Sequence, residues 1–225
     1  MFKNNKFLAV GLGATLVAGL ALGVATEAQA EAGGTGLTRN WPTTEAVNLG
    51  PLELSEEELA LFHANNISHE ELEAITTEWG DRLVAISTAH AEGEDYVQVA
   101  ADTLDDLYAF DYTQVLFKPT LSATNPFRGT WAEAASYFIG ASAGEDTFIE
   151  EDGQGFATLG WTDVQFDHET ALVQQHGDLV LWMGNIHLEN SEGEITTVHK
   201  SMGFFRDGAG NLRIALHHSS LPHQG

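Results

Sequence analysis

The run Asp207-Gly208-Ala209-Gly210-Asn211-Leu212-Arg213-Ile214-Ala215-Leu216-His217-His218-Ser219-Ser220-Leu221-Pro222 decides how this chain is read. It begins with a Gly-rich cluster of the kind that turns a β-hairpin. It continues as an apolar strand and ends in four polar side chains closed off by a proline. Working backwards, residues 195–206 read as the partner strand, Asn190-Ser191-Glu192-Gly193 as another hairpin turn, and residues 171–188 and 155–168 as further strands. The C-terminal half is therefore expected to be an antiparallel meander of three or four long strands. A buried strand has no structural use for four consecutive polar side chains, because each must find a hydrogen-bond partner or cost free energy. Residues 217–220 are thus a candidate site, the alternative being a strand that frays into solvent. Successive side chains of a strand point to opposite faces. Alternation pairs His217 with Ser219 and His218 with Ser220, one couple facing inward and the other outward.

Upstream of the meander the period changes. Ser55-Glu56-Glu57-Glu58 and Ser68-His69-Glu70-Glu71 have capping-box spacing, in which Ser caps a backbone N–H and Glu reaches back. They predict a short helix over 55–65 and a long one over 69–91. In the second, Leu72, Ile75, Trp79, Leu83 and Ile86 form an apolar stripe at intervals of three and four. A third helix is expected over 94–108. Tyr112-Thr113-Gln114-Val115-Leu116-Phe117 alternates as a strand stopped by Pro119, and residues 130–139 read as a short helix. Helices first and an antiparallel meander last predict an α+β domain, with helices on one face of a bent sheet.

The N-terminus carries its own reading. Lys3 and Lys6 precede an uncharged run over 7–24, and Ala28-Gln29-Ala30 matches the small-x-small cleavage pattern of a secretory signal. Residues 1–30 are expected to be a signal peptide, the alternative being an uncleaved anchor. The mature chain would then begin near Glu31 and be periplasmic or secreted. Residues 31–54, with Pro42 and Pro51 and no periodicity, read as a flexible arm before a domain over 55–225. With 9 Lys and Arg against 33 Asp and Glu, the chain repels nucleic acid and anionic membrane. It has no Cys, which removes disulfides and thiolate metal sites.

Ten histidines raise the question of a metal. Neighbouring His217 and His218 point to opposite strand faces, and no H-x-H or H-E-x-x-H occurs, so no metal ligand set is announced. The inward His–Ser couple would put an imidazole beside a hydroxyl, enough to orient a water or move a proton. In Phe117-Lys118-Pro119-Thr120, Lys118 is a cation in an acidic chain and Pro119 fixes the backbone that holds Thr120. Tyr137 could hydrogen-bond into a pocket walled by Phe138. Glu150-Glu151-Asp152 lies in a Gly-flanked turn and reads most simply as a solvated loop.

These segments together resemble a known family. The element order resembles the nuclear transport factor 2-like, or SnoaL-like, cone. The runs Val115-Leu116-Phe117-Lys118-Pro119-Thr120, Ser136-Tyr137-Phe138, Gly203-Phe204-Phe205-Arg206-Asp207 and Leu216 to Pro222 resemble the group once labelled by its likeness to the calmodulin-dependent kinase II association domain. That group is the iota class of carbonic anhydrases. The resemblance covers residues 55–222 and implies a cone-shaped domain that hydrates carbon dioxide to bicarbonate and a proton. It implies Thr120, Tyr137, His217 and Ser219 as catalytic residues, with Lys118, Phe138, His218 and Ser220 lining the substrate site. His217 with Ser219 is favoured over His218 with Ser220 as the inner couple. No metal or other cofactor is expected, zinc or manganese being the alternative that some family members suggest. Partners are expected to be carbon dioxide or bicarbonate and a second copy of the chain, with no nucleic acid and, after signal cleavage, no membrane. The alternative functions are a non-catalytic, oligomeric small-ligand-binding cone, marked by a large apolar pocket lacking Thr120, Tyr137 and Ser219, or an isomerase or dehydratase. The last would need a carboxylate of raised pKa inside the cone.

Overall fold

The computed structural model describes residues 55–57 and 66–223. The expected signal peptide, the arm over 31–54 and nearly all of the helix expected over 55–65 lie outside these residues. The described part belongs to one compact unit.

The first full element is α1 (His69–Glu92), longer by one residue than the periodicity predicted. Its capping box is closed as expected: the Glu71 backbone N–H donates to Ser68 Oγ, and the Ser68 N–H donates to the Glu71 carboxylate. It ends at Gly93, whose φ of 74° is the left-handed conformation that glycine adopts without strain. Glu71 also accepts both Arg206 Nη atoms, at 2.8 and 3.1 Å, tying the start of α1 to the sheet. That hydrogen bonding, the Ser68 backbone contact adding to it, lowers the Glu71 carboxyl to about 2. Helix α2 (Tyr96–Leu107) packs beside α1, and a short α3 (Trp131–Ile139) carries a second capping box, Thr130 with Glu133.

The strands are β1 (Leu116–Lys118), β2 (Trp161–Phe166), β3 (Leu172–His176), β4 (Leu179–Asn190), β5 (Ile195–Arg206) and β6 (Leu212–Ser220). Their order across the sheet is β1-β6-β5-β4-β2, with β3 also on β4. Every pairing is antiparallel except β1 on β6. The last two strands match the sequence reading residue for residue. Three others are corrected. Residues 171–188 form two strands, because Gly177 at φ 61° and Asp178 turn the chain back on itself. Residues 155–160 begin as a 3-10 turn, Phe156–Thr158, before β2 starts. The strand expected from Tyr112 is confined to three residues, the chain before it being occupied by turns bonded to Ala109.

Strand β4 serves two partners in series on one edge, β3 along its first half and β2 along its second, which is how the sheet bends around the helices. The inward residues alternate cleanly on β4 and β5: Val180, Trp182, Ile186 and Leu188 on one, Val198, Lys200, Met202 and Phe204 on the other. Helix α1 lays Leu72, Trp79, Leu83 and Ile86 against this face. Gly80 lets it approach, since a methyl group there would stand 3.1 Å from the Val164 Cβ. The α+β reading of the sequence is what the chain adopts.

Candidate active site

The inner couple is set by an irregularity in β6. Ile214 is buried, and in a regular strand Leu216, His218 and Ser220 would share its face. The β5–β6 register shifts between Gly203 and Phe204, which face Leu216 and Ile214, so that Ala215 is extra. Such a bulge turns the following side chains over. His217 and Ser219 therefore point inward and are buried, while His218 and Ser220 are half-buried on the opposite face.

Around the inner couple stand four of the residues expected from the sequence. Thr120 Oγ1 donates to Ser219 Oγ at 2.6 Å. Lys118 Nζ donates to the Ser219 carbonyl at 2.9 Å, and burial lowers its pKa. Phe138 is buried and forms, with Phe117, the aromatic wall against Tyr137, the ring centroids of Phe117 and Tyr137 being 5.7 Å apart. The Tyr137 hydroxyl is buried and meets no partner at good hydrogen-bond geometry, although the Thr120 hydroxyl and the Thr120–Leu121 backbone lie close enough to perturb it. Burial pushes this phenol up to about 12, so it remains a proton donor across the physiological range.

Two expectations need correction. His218 and Ser220 were placed at the substrate site, but the bulge sends them to the outer face, where His218 lines an open groove with Leu116, Lys118, Phe127 and Leu216. The acidic turn is not a solvated loop. The Asp152 side chain is fully buried: it accepts Arg128 Nη2 at 2.9 Å and the Ser136 hydroxyl at 2.6 Å. Burial raises its carboxyl above the usual range in spite of these donors. Glu151 accepts the backbone N–H groups of Ala123, Thr124 and Asn125 and the Thr124 hydroxyl, and also pairs with Arg128. The Thr124 donors chiefly hold its carboxyl down to about 2. The loop that follows Thr120 is thereby anchored to the turn below α3.

Three residues of the inner cluster were not singled out from the sequence. His217 Nδ1 lies 2.8 Å from Tyr108 Oη, which accepts the Trp79 indole N–H at 2.9 Å. His217 Nε2 lies 2.7 Å from Lys200 Nζ. Both His217 and Lys200 are buried, and burial is the leading cause that lowers the pKa of each, well below its usual value. Lys200 was detectable: in Val198-His199-Lys200-Ser201-Met202 it takes an inward position of an apolar alternation. Tyr108 carries no comparable signal, since a buried Tyr at the end of a helix is ordinary.

A metal fits this cluster poorly. Both ring nitrogens of His217 already have hydrogen-bond partners, which leaves neither free to ligate an ion. Among the described residues no group of three His, Asp or Glu is placed to hold an ion. His187, a conceivable ligand, bonds Thr197 instead, at 2.9 Å.

Comparison with known proteins gives the family. A family model described as metal-independent carbonic anhydrase matches residues 70–221. The chain belongs to the metal-independent carbonic anhydrase family. A metal-independent carbonic anhydrase from a Nostoc species is 38% identical over 161 residues, spanning 70% of this chain and 75% of that one. The crystal structure of the cyanobacterial iota-carbonic anhydrase complexed with bicarbonate is 34% identical with a TM-score of 0.64, covering 72% of this chain and 96% of that one. A nuclear transport factor 2-like superfamily protein from Salmonella enterica is more distant, at 14% identity and a TM-score of 0.39 over 70% of this chain and 95% of that one. The expectation of an enzyme without a cofactor agrees with the description of the family. The iota-class resemblance read from the sequence is the right one.

Proposed function

We propose that this carbonic anhydrase hydrates carbon dioxide in the space bounded by Thr120, Tyr137, Ser219 and His217, with bicarbonate as the bound product. The observation that carries the assignment is the Thr120–Ser219 hydroxyl pair beside the unpartnered Tyr137 hydroxyl, against the aromatic wall of Phe117 and Phe138. Thr120 gives its hydrogen to Ser219, so the Ser219 hydrogen is free to donate. Tyr137 supplies a second free donor. When water attacks the carbon of carbon dioxide, negative charge gathers on the oxygens, and fixed donors in a dry site stabilise it without reorganising. The neutral imidazole of His217, on the same strand face as Ser219, is the base assigned to this step, with Tyr108, whose hydrogen its Nδ1 accepts, as the relay for the proton.

An open groove of about 690 Å3, largely apolar and lined by none of Thr120, Tyr137 and Ser219, is what a ligand-capturing module would offer. It lies on the outer face of β1 and β6, across the strands from the inner couple, with Lys118 at its edge. Stopped-flow hydration by the chain from Glu31 onward, before and after extensive chelation, tests the assignment. Activity is expected in both states. Loss on chelation with recovery on adding zinc or manganese would overturn the metal-free reading.

The chain is further read as an exported homodimer. Export rests on the signal pattern of residues 1–30, and pairing on the exposed apolar side chains Leu116, Leu172 and Met183 on the outer side of the sheet. Among the described residues no helix is long and apolar enough to cross a membrane. Mature-chain mass and sedimentation check the two readings.

A further inference from the structure

The hydrogen bonds around His217 fix more than its position. Tyr108 is almost completely buried, and its oxygen accepts the Trp79 N–H, a group that can only donate. Its own hydrogen needs an acceptor, and the one partner left to it is His217 Nδ1, at 2.8 Å. Nδ1 is then an acceptor, so the neutral imidazole carries its hydrogen on Nε2. That hydrogen points at Lys200 Nζ, 2.7 Å away. An ammonium has no lone pair to receive it.

We infer that Lys200 is held as a free amine that accepts the His217 Nε2–H, and that it thereby sets the tautomer and the proton affinity of His217. It is a positioning residue, acting on the imidazole and not on the substrate. This rests on the assignment of the inner site made above.

The surroundings agree. Lys200 Nζ sits 3.8 Å from the centroid of the Trp79 ring, where an amine N–H finds the indole face as a weak acceptor. His217 is packed by Trp79 of α1, by Tyr108 beyond α2 and by Phe117 of β1. The charged or titratable groups acting on it are Lys200 from β5 and His218 on the outer face of β6, and neither it nor Lys200 has a carboxylate among its partners. Each cation would be unpaired and desolvated, which is why the resting pair stays neutral. As pH falls the first proton goes to the amine, the stronger base. The ammonium then donates to Nε2, and His217 remains a neutral ring beside a cation that opposes its own protonation.

The consequence is a shield. With Lys200 in place, the imidazole keeps its uncharged form into acid. In Lys200→Met, similar in length and apolar, His217 must take the proton itself. Its titration is expected to move to higher pH than in the wild-type protein, although burial still depresses it. Since the base form is the neutral ring, the rising limb of kcat/KM against pH should move up with it. The variant would lose activity mainly at acidic pH and recover as pH rises. Lys200→Arg, a permanent cation, should instead hold the hydrogen on Nδ1 at every pH, a form that wild type reaches only once Lys200 is protonated.

The experiment is 15N NMR of the ligand-free protein, reading the His217 ring and Lys200 Nζ across pH, beside pH–rate profiles of wild type and Lys200→Met. Expected are an amine signal from Lys200 and an Nε2–H ring at pH 7, with the upward shift of His217 in the variant. An ammonium signal from Lys200 at pH 7, or a His217 titration unmoved by Lys200→Met in a protein that retains its thermal transition, would overturn the inference. The NMR arm needs no turnover. A silent site with the expected spectra would therefore count against the assigned site and not against the amine.

Discussion

Ser219→Ala is expected to lower kcat by at least about 10-fold and up to the roughly 100- to 1000-fold seen on deleting one preorganised donor to a developing oxyanion. Its Oγ receives the Thr120 hydrogen and so has its own hydrogen to give. Thr120→Ala should cost a similar factor by a different route: Ser219 survives, but loses the donor that fixes which way its hydrogen points. Tyr137→Phe removes only an oxygen that is buried without a good partner. That variant should lose turnover while gaining or keeping stability, because deleting an unsatisfied buried hydroxyl relieves a desolvation cost. Stopped-flow kinetics beside thermal unfolding separates the cases. A Tyr137→Phe enzyme with unchanged kcat would remove the tyrosine from the chemistry. Equal losses of stability and activity in all three variants would mean that these hydroxyls merely hold the fold.

Arg128→Met is expected to cost stability on the order of 3 kcal/mol, the lower end for removing one partner of a buried ion pair. Arg128 is fully buried and its Nη2 serves both Glu151 and Asp152 at 2.9 Å. Without it, the Asp152 carboxylate stays in the interior with the Ser136 hydroxyl as its remaining side-chain donor. The lower end is chosen because Arg128 Nε and Nη1 meet no acceptor, so their removal returns part of the loss. Asp152→Asn in the same background should recover stability, since the stranded charge is then gone. Urea unfolding of the single and double variants measures both. If Arg128→Met unfolds at the wild-type midpoint, the pair does not hold the turn. Activity should fall with it in the single variant, because Glu151 anchors the loop that follows Thr120.

Much of the fold was legible. The stripe Leu72, Ile75, Trp79, Leu83 and Ile86 and the Ser68–Glu71 box gave α1 nearly to the residue, because a helix start is a local event with local chemistry. Strands β5 and β6 were equally clear, bounded by turns whose residues accept the backbone they need. The hairpin at Gly177 was missed because a single Gly-Asp step is a weak signal against a long strand pattern. The acidic turn was misread for a related reason. Asp and Glu in a Gly-flanked turn are usually solvated, and the cation that buries Asp152 comes from Arg128, 24 residues earlier.

For the site, sequence determined which residue types were present and in what order: the hydroxyls of Thr120, Tyr137 and Ser219 and the imidazoles of residues 217 and 218. It could also narrow the inner couple to two choices, since alternation along a strand is a local property. Only the tertiary structure chose between them. The choice rests on one extra residue, Ala215, in the β5–β6 register, and a bulge exists only in relation to the strand it fails to match. The same holds for Lys200, whose inward position is visible in β5 but whose meaning lies in the ring of His217, 17 residues later and across the strand pair. Local sequence decides the period and the caps. Which polar groups share a desolvated space, and therefore which of them can stay charged, is decided by the packing that brings distant segments together.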